Sequence, residues 1–268
     1  MNRLQSKILD IFKVFLSVCE KLDLKYYMFA GTAIGTLREE GFIPWDDDLD
    51  VAMPRDDYEI FIKEAQKYLP QNIFLQTYKT EKNFPRNFAK LRDSNTTFIE
   101  SGMKDLKINH GVFLDIFPLD TYPELKELPK IFRIKEKFYK YATLCALDDK
   151  TSYKIRLRNK VFRFFGFHKR TDKSLQKFEK FVFELKGKPK YYTNSLFINK
   201  ETLFDIEWFA DGVSATFEGL QVIVPAEYDK YLTNKYDNWR ERPPLEQQKS
   251  HHLTTIIDLD KPYTEYIK

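Results

Sequence analysis

Apolar residues recur at a helical period along the start of the chain. Ile8, Ile11, Phe12, Phe15, Val18, Cys19 and Leu22 fall on one face, so Leu4 to Leu22 predicts an amphipathic helix. The period then changes. Tyr26 to Ala30 is a short continuous apolar run, the mark of a buried strand. A Gly31-Thr32 turn follows, then a short helical segment ending at Gly41, a residue suited to a left-handed cap. Asp48 to Met53 reads as a second strand, stopped by Pro54. Alternate strand side chains share a face, so Asp48 and Asp50 stand side by side while Leu49 and Val51 turn to the core.

Asp56 to Leu69 returns to the helical period, with Tyr58, Phe61, Ile62, Ala65 and Leu69 on one side and Pro70 as its stop. Ile73 to Tyr78, Phe88 to Leu91 and Thr96 to Ile99 are short β-rich runs. Gly111 to Pro118 is a buried strand carrying one carboxylate, Asp115. From Glu124 to about Lys186 the chain turns helical, basic and aromatic. Val213 to Phe217 and Leu220 to Val224 predict a hairpin across Glu218-Gly219, and a helix begins at Pro225. This order predicts an α/β (α+β) fold, a mixed sheet flanked by helices. With no internal repeat and no Gly/Ser linker, residues 1–268 read as one domain with a helical insertion at about 124–200.

Composition narrows the function classes. Hydrophobic residues at 43% and aromatics at 16% exclude disorder, and 268 residues can bury a sizeable core. Charged residues reach 31%, yet the net charge is only +4, which argues against a nucleic-acid partner. Cys19 and Cys145 lie in apolar helical patterns and read as buried thiols in a reducing compartment. Lys7, Asp10 and Lys13 interrupt the first apolar residues, so no signal peptide is expected, and no apolar run reaches the length of a membrane span. The expected location is cytoplasmic. One stretch complicates it. Lys154 to Arg170 sets Lys154, Arg156, Arg158, Lys160, Arg163, Lys169 and Arg170 among Val161, Phe162, Phe164, Phe165 and Phe167. It reads either as a solvated helix packed on the core or as a peripheral contact with the inner face of an anionic membrane.

The acidic strand carries the candidate chemistry. Two carboxylates on one face repel unless a cation lies between them, and a hard ion such as Mg²⁺, with Mn²⁺ as its substitute, suits one or two carboxylates plus phosphate oxygens. An EF-hand loop is excluded: its sixth position is Val51 rather than Gly, its twelfth is Asp57, and Pro54 interrupts it. A glycosyltransferase Asp-x-Asp motif usually follows a nucleotide-binding half-domain, and here only one helix and one strand precede it. The nucleotidyltransferase pattern fits better: Gly31-Thr32, a spacer, Asp48-Leu49-Asp50-Val51, and a third carboxylate at Asp115 on a later strand. In that arrangement a glycine at a helix start lets phosphate approach backbone N–H groups. Two carboxylates hold the metal, and the third can take a proton from an acceptor hydroxyl.

Gly31-Thr32-Ala33-Ile34-Gly35-Thr36-Leu37-Arg38, followed by Gly41-Phe42-Ile43-Pro44-Trp45-Asp46-Asp47-Asp48-Leu49-Asp50, resembles the signature of the LicD family. These are bacterial phosphocholine transferases, related to fukutin and the fukutin-related ribitol-phosphate transferases. Lys90-Leu91-Arg92-Asp93, Gly111 to Asp120, Tyr236-Asp237, Pro243-Pro244 and His251-His252 extend the likeness. The resemblance implies a nucleotidyltransferase-like core with Asp48, Asp50 and Asp115 as its carboxylates. It implies Mg²⁺-dependent transfer of an alcohol phosphate, commonly phosphocholine, from a CDP-alcohol such as CDP-choline. The acceptor would be a hydroxyl of a glycan, free or lipid-linked: a teichoic acid, capsule or lipopolysaccharide precursor. Two other readings stay open, a nucleotidyltransferase that moves an NMP group and an inactive metal- or glycan-binding scaffold.

Substrate contacts are expected from residues around that strand, each with a plainer alternative. Gly31 and Thr32 would receive phosphate, or form a simple turn. Arg38, Lys90 and Arg92 would neutralise a diphosphate, or be surface charges. Trp45 would face a trimethylammonium group, or merely pack. Asp46 shares the parity of Asp48, and His251 and His252 would reach phosphate or lie exposed.

Overall fold

The protein is described here by a computed structural model covering residues 1–147, 153–185, 187–194, 200–250 and 252–267. Its first helix, α1 (Arg3–Leu22), closes its N-terminus with a reciprocal cap: Asn2 Oδ1 accepts from the Gln5 N–H at 2.9 Å, and Gln5 Oε1 accepts from the Asn2 N–H at 3.0 Å. Then follow β1 (Tyr27–Met28), α2 (Ala30–Glu39), β2 (Asp50–Pro54), α3 (Arg55–Glu64), β3 (Ile73–Gln76), β4 (Ala89–Asp93), β5 (Thr97–Glu100) and β6 (Val112–Tyr122). Helices α4 (Lys130–Leu144), α5 (Tyr153–Phe164) and α6 (Thr171–Phe183) occupy the predicted insertion. The chain ends with β7 (Tyr191–Thr193), β8 (Phe204–Asp205), β9 (Val213–Phe217), β10 (Leu220–Val224), α7 (Tyr228–Tyr236) and β11 (Thr254–Asp258).

The main sheet runs β1-β2-β6-β4-β3, with β2 and β6 parallel and the other neighbours antiparallel. The mixed α/β class is therefore as expected. The far end of β6 pairs with β7, which pairs with β8. β9 and β10 form the expected hairpin, whose turn residues Glu218 and Gly219 both take left-handed φ values of 48° and 77°. One large apolar core joins α1, the sheet and α7, while Tyr122, Phe132, Phe178, Val182 and Leu203 form a smaller core beneath the inserted helices.

Several boundaries differ from expectation for local reasons. Only Tyr27–Met28 of the first apolar run pairs, because Ala30 takes a left-handed φ of 49° and turns the chain into α2. Gly31 and Thr32 therefore lie within the first turn of α2 rather than in a separate turn. The left-handed cap of α2 is Glu40, at φ 54°, not Gly41. β2 begins at Asp50, so Asp48 lies on its lead-in. β6 runs through Pro118 because β4 ends opposite Ile116, leaving no neighbour on that side to miss the absent N–H. Helix α7 starts at Tyr228, three residues after Pro225.

Candidate active site

The sheet itself assembles the carboxylates. Asp50 on β2 is in register with Asp115 on β6, and Asp115 is in register with Lys90 on β4, so the three stand in a row across one face. The backbone of this row is pinned at several points. The Asp50 carbonyl accepts from the Phe29 N–H at 3.0 Å, and the Leu49 carbonyl accepts from the Asp115 N–H at 3.0 Å. The Asp50 N–H donates to Thr32 Oγ1 at 2.8 Å, so the predicted phosphate contact Thr32 holds the acidic strand in place. Buried Gln5 of α1 donates to the carbonyls of Ile43 and Asp46, at 3.2 and 3.0 Å, and steadies the acidic loop from beneath. Thr32→Val keeps the shape but strands the Asp50 amide. It should lower stability by about 1–3 kcal/mol in urea melts and reduce turnover with it.

Five acidic side chains, Asp46, Asp47, Asp48, Asp50 and Asp115, crowd this site, and their electrostatics show it. Burial, reinforced by Asp46, Asp115 and Asp47, pushes the Asp48 carboxyl up to about 7 against the pull of His252. Burial likewise raises Asp46 to about 6, with Asp47 adding to the rise. Asp50 rises well above the usual range through burial and the charges of Asp48, Asp115 and Asp46. Asp47 moves the other way: burial opposes its charge, but hydrogen bonds from His252 and Ser250 hold it below the usual range. The His252 Nδ1 lies 3.0 Å from Asp47 and 3.8 Å from Asp48, and its ring sits edge-on to Phe98 and Phe113. The burial of His252 works against protonation, yet its bond to Asp47 and the Asp48 charge raise its pKa.

This excess of negative charge fits a divalent cation. Asp115 Oδ1 is buried and makes no hydrogen bond, although Lys90 Nζ lies 2.9 Å away in an ion pair outside hydrogen-bonding geometry. A side chain at Gly31 would place its Cβ 3.2 Å from Asp46 Oδ2, a tight contact that would press that carboxylate away from the helix start. Among the described residues, Asp47, Asp48 and His252 form a group whose donor atoms lie within 4.8 Å of one another. Of the expected trio Asp48, Asp50 and Asp115, only Asp48 belongs to this group, and His252 holds Asp47 beside it.

The pH dependence of stability tests this crowding. A carboxyl with a raised folded-state pKa takes up a proton on folding, so stability falls as pH rises across the interval. For Asp48 that interval runs from 3.8 to about 7. His252, raised above its ordinary 6.5, adds to the same slope, whereas the depressed Asp47 acts only below 3.8. Metal-free protein should therefore melt at lower temperature at pH 8 than at pH 5.5, and saturating Mg²⁺ should flatten the difference. Calorimetric melts with chelator and with Mg²⁺ read both.

Beside the carboxylates lies a cavity of about 610 Å³. One wall comes from Gly31, Ile34, Arg38, Trp45, Asp46, Asp48 and Asp50, the other from Tyr236 to Gln247 near the C-terminus. Arg38 holds that second wall rather than standing free: it donates to the carbonyls of Trp239 and Glu241, both at 3.1 Å, and to Glu39 at 2.9 Å. Glu39 in turn pairs with Arg242. Lys90 is buried between Asp115 and Glu100, the latter at 3.4 Å. Arg92 is fully buried and donates to Gln76, Gly111 and Glu100, so it does not line the cavity. His251 lies outside the described residues. Tyr236 entered the sequence reading only through the family likeness, and Lys235 did not enter it. Lys235 lies over the rings of Phe29, Phe204 and Tyr236, and burial lowers its pKa against the opposing charge of Asp50.

Comparison with known proteins agrees with this geometry. Residues 23–143 match the family model described as LicD/FKTN/FKRP, nucleotidyltransferase domain. The chain is 27% identical over 256 residues to the lipopolysaccharide cholinephosphotransferase LicD of Haemophilus influenzae, covering 91% of this chain and 93% of that protein. An uncharacterised protein of Rickettsia prowazekii is 26% identical over 121 residues, 44% of this chain and 42% of its own length. One of Rickettsia typhi is 34% identical over 70 residues, 25% of this chain and 21% of its own. The matched region carries Asp50 and Asp115 on their strands, Asp48 on the lead-in to β2 and the helix start at Gly31, and over that region this chain is similar to the LicD family.

Proposed function

We propose that this chain is a Mg²⁺-dependent transferase that moves an alcohol phosphate, phosphocholine foremost, from a CDP-activated donor to a glycan hydroxyl such as one on a lipopolysaccharide precursor. The observation that carries the reading is a cavity large enough for a nucleotide donor, lined by Asp48 and Asp50, with Asp115 in register beside Asp50 on the next strand. Likeness to a lipopolysaccharide cholinephosphotransferase along almost the whole chain supports the substrate class. The whole of residues 1–268 would act as one catalytic unit, with α4 to α6 as an insertion.

Asp48, Asp50 and Asp115 would hold the divalent ion, which when bound neutralises the donor diphosphate and the charge that develops on the leaving CMP. The chain's own groups do the rest. The Gly31 and Thr32 N–H groups at the start of α2 would receive a phosphate oxygen, the Ala30 N–H being donated to Tyr231 Oη. Trp45 and Tyr236 offer aromatic faces to a quaternary ammonium. Asp115 takes the acceptor's proton as its oxygen attacks the phosphorus bearing the alcohol. The new O–P bond forms as the bond to the bridging oxygen breaks, and CMP carries that oxygen away.

Calorimetric titration of CDP-choline, CDP-ribitol, CDP-glycerol and CTP with Mg²⁺ tests the reading. We expect metal-dependent binding of CDP-choline in preference to the others. Preference for CTP over every CDP-alcohol would point instead to nucleotidyl transfer, and no nucleotide binding would remove the transferase reading.

A further inference from the structure

Helix α5 carries two stripes. Its inner one, Ile155, Arg158, Asn159 and Phe162, packs on α4: Phe162 lies against Phe138 and Tyr141 at ring separations of 5.9 and 6.2 Å, and Arg158 stacks on Tyr141 at 4.3 Å. Asn159 is buried there. A surface helix with its apolar face so placed should present a polar face outward. This one does not.

Tyr153, Leu157, Val161 and Phe164, spaced by four, four and three residues, form a second apolar stripe on the solvent side. Phe164 is 85% exposed and Tyr153 71%, with Leu157 and Val161 about half exposed. Phe165, 66% exposed, extends the stripe past the helix end, where Gly166 turns the chain with a φ of 75°. Lys160 and Arg156 flank the stripe on one side and Lys154 on the other, and all three are exposed. From residue 153 to residue 171 there is no Asp or Glu. Arg158 and Arg163 are tied back into the fold, Arg163 through the carbonyls of Cys145 and Leu147 at 2.6 and 2.9 Å, so the other cations define the outer face.

We propose that this outer face of α5 docks on an anionic lipid bilayer, with Phe164 and Phe165 entering the headgroup boundary and Lys154, Arg156 and Lys160 meeting lipid phosphates. A face that is apolar along its centre, cationic at both edges and free of acidic residues matches an anionic interface in both terms. A protein partner would have to match the same apolar stripe with a wholly acidic rim. The inference does not rest on the reaction assigned above.

Flotation of the full chain with vesicles tests it. The parent should rise with vesicles of phosphatidylcholine and phosphatidylglycerol in equal parts, and stay down with phosphatidylcholine alone. Phe164→Ser/Phe165→Ser and Lys154→Gln/Arg156→Gln/Lys160→Gln should each cut the floated fraction about tenfold, with CDP-choline titration unchanged. A parent that ignores anionic vesicles, or variants that float as it does, would overturn the proposal. So would a parent that sediments as a dimer without lipid while the Phe variant is monomeric, since the face would then be a contact between copies. Donor binding is read separately, so loss of flotation and loss of the transferase reading cannot be confused.

Discussion

Asp50→Asn should lower kcat/KM on the order of 1,000-fold or more and, at the same time, make the metal-free protein more stable. The two effects have one origin. Asp50 stands in register with Asp115 and is repelled by Asp48, Asp115 and Asp46, which together with burial raise its pKa well above the usual range. Asparagine keeps the shape and leaves the backbone bonds to Phe29 and Thr32 unchanged. It removes one of the mutually repelling charges. A merely structural aspartate would lose stability on the same change, so the sign of the shift separates the two roles. Melts with and without Mg²⁺ complete the test: the parent should gain stability from the ion and the variant should gain little. A variant that melts lower than the parent without metal would overturn this account of the site.

Arg92→Met should have the largest effect on stability, about 3–5 kcal/mol, and little effect on the KM of the protein that remains folded. The guanidinium is fully buried, and its donors go to Gln76 Oε1 at 2.7 Å, the Gly111 carbonyl at 2.7 Å and Glu100 at 3.1 Å. Glu100 depends on Lys90 and Arg92 to stay charged: burial works against it, and those cations hold its carboxyl far below the usual range. Removing Arg92 leaves Glu100 with Lys90 and Arg86 as its ion-pair partners and leaves the buried Gln76 Oε1 without its donor. Urea melts read the loss, and donor titration at low temperature reads whether the cavity survives. A tenfold loss of donor affinity at unchanged stability would return Arg92 to the substrate.

The difference between Arg92 as read from sequence and as found in the fold shows what local pattern can carry. Alternation along Asp48-Leu49-Asp50-Val51 is a property of neighbouring residues, and it correctly turned Leu49 and Val51 to the core. The helical period of α1 and the turn chemistry of Glu218-Gly219 are equally local, and both elements form as expected. Arg92, by contrast, sits on a strand buried along its whole length, so its charge signals an internal network and not a surface. Nothing near it in sequence names Gln76 or Gly111 as its partners. Likewise β11 pairs with β5 across more than 150 residues, and that pairing carries His252 to Asp47. The wall of the cavity that Arg38 grips is distant in the same way. Long-range closure decides these contacts, and local propensity does not encode it.

That closure gives the C-terminal segment a role in timing. During synthesis, Asp48, Asp50 and Asp115 leave the ribosome well before Tyr236 to Gln247 and His252 exist. A chain halted after α6 contains the acidic residues but lacks the opposite wall of the cavity and the histidine that holds Asp47. Such a nascent chain holds its repelling carboxylates without a completed donor site. Cleavage after Trp239 should therefore abolish donor binding, because it removes Glu241 to Gln247 from the cavity wall and His252 from Asp47 while cutting no strand of the main sheet.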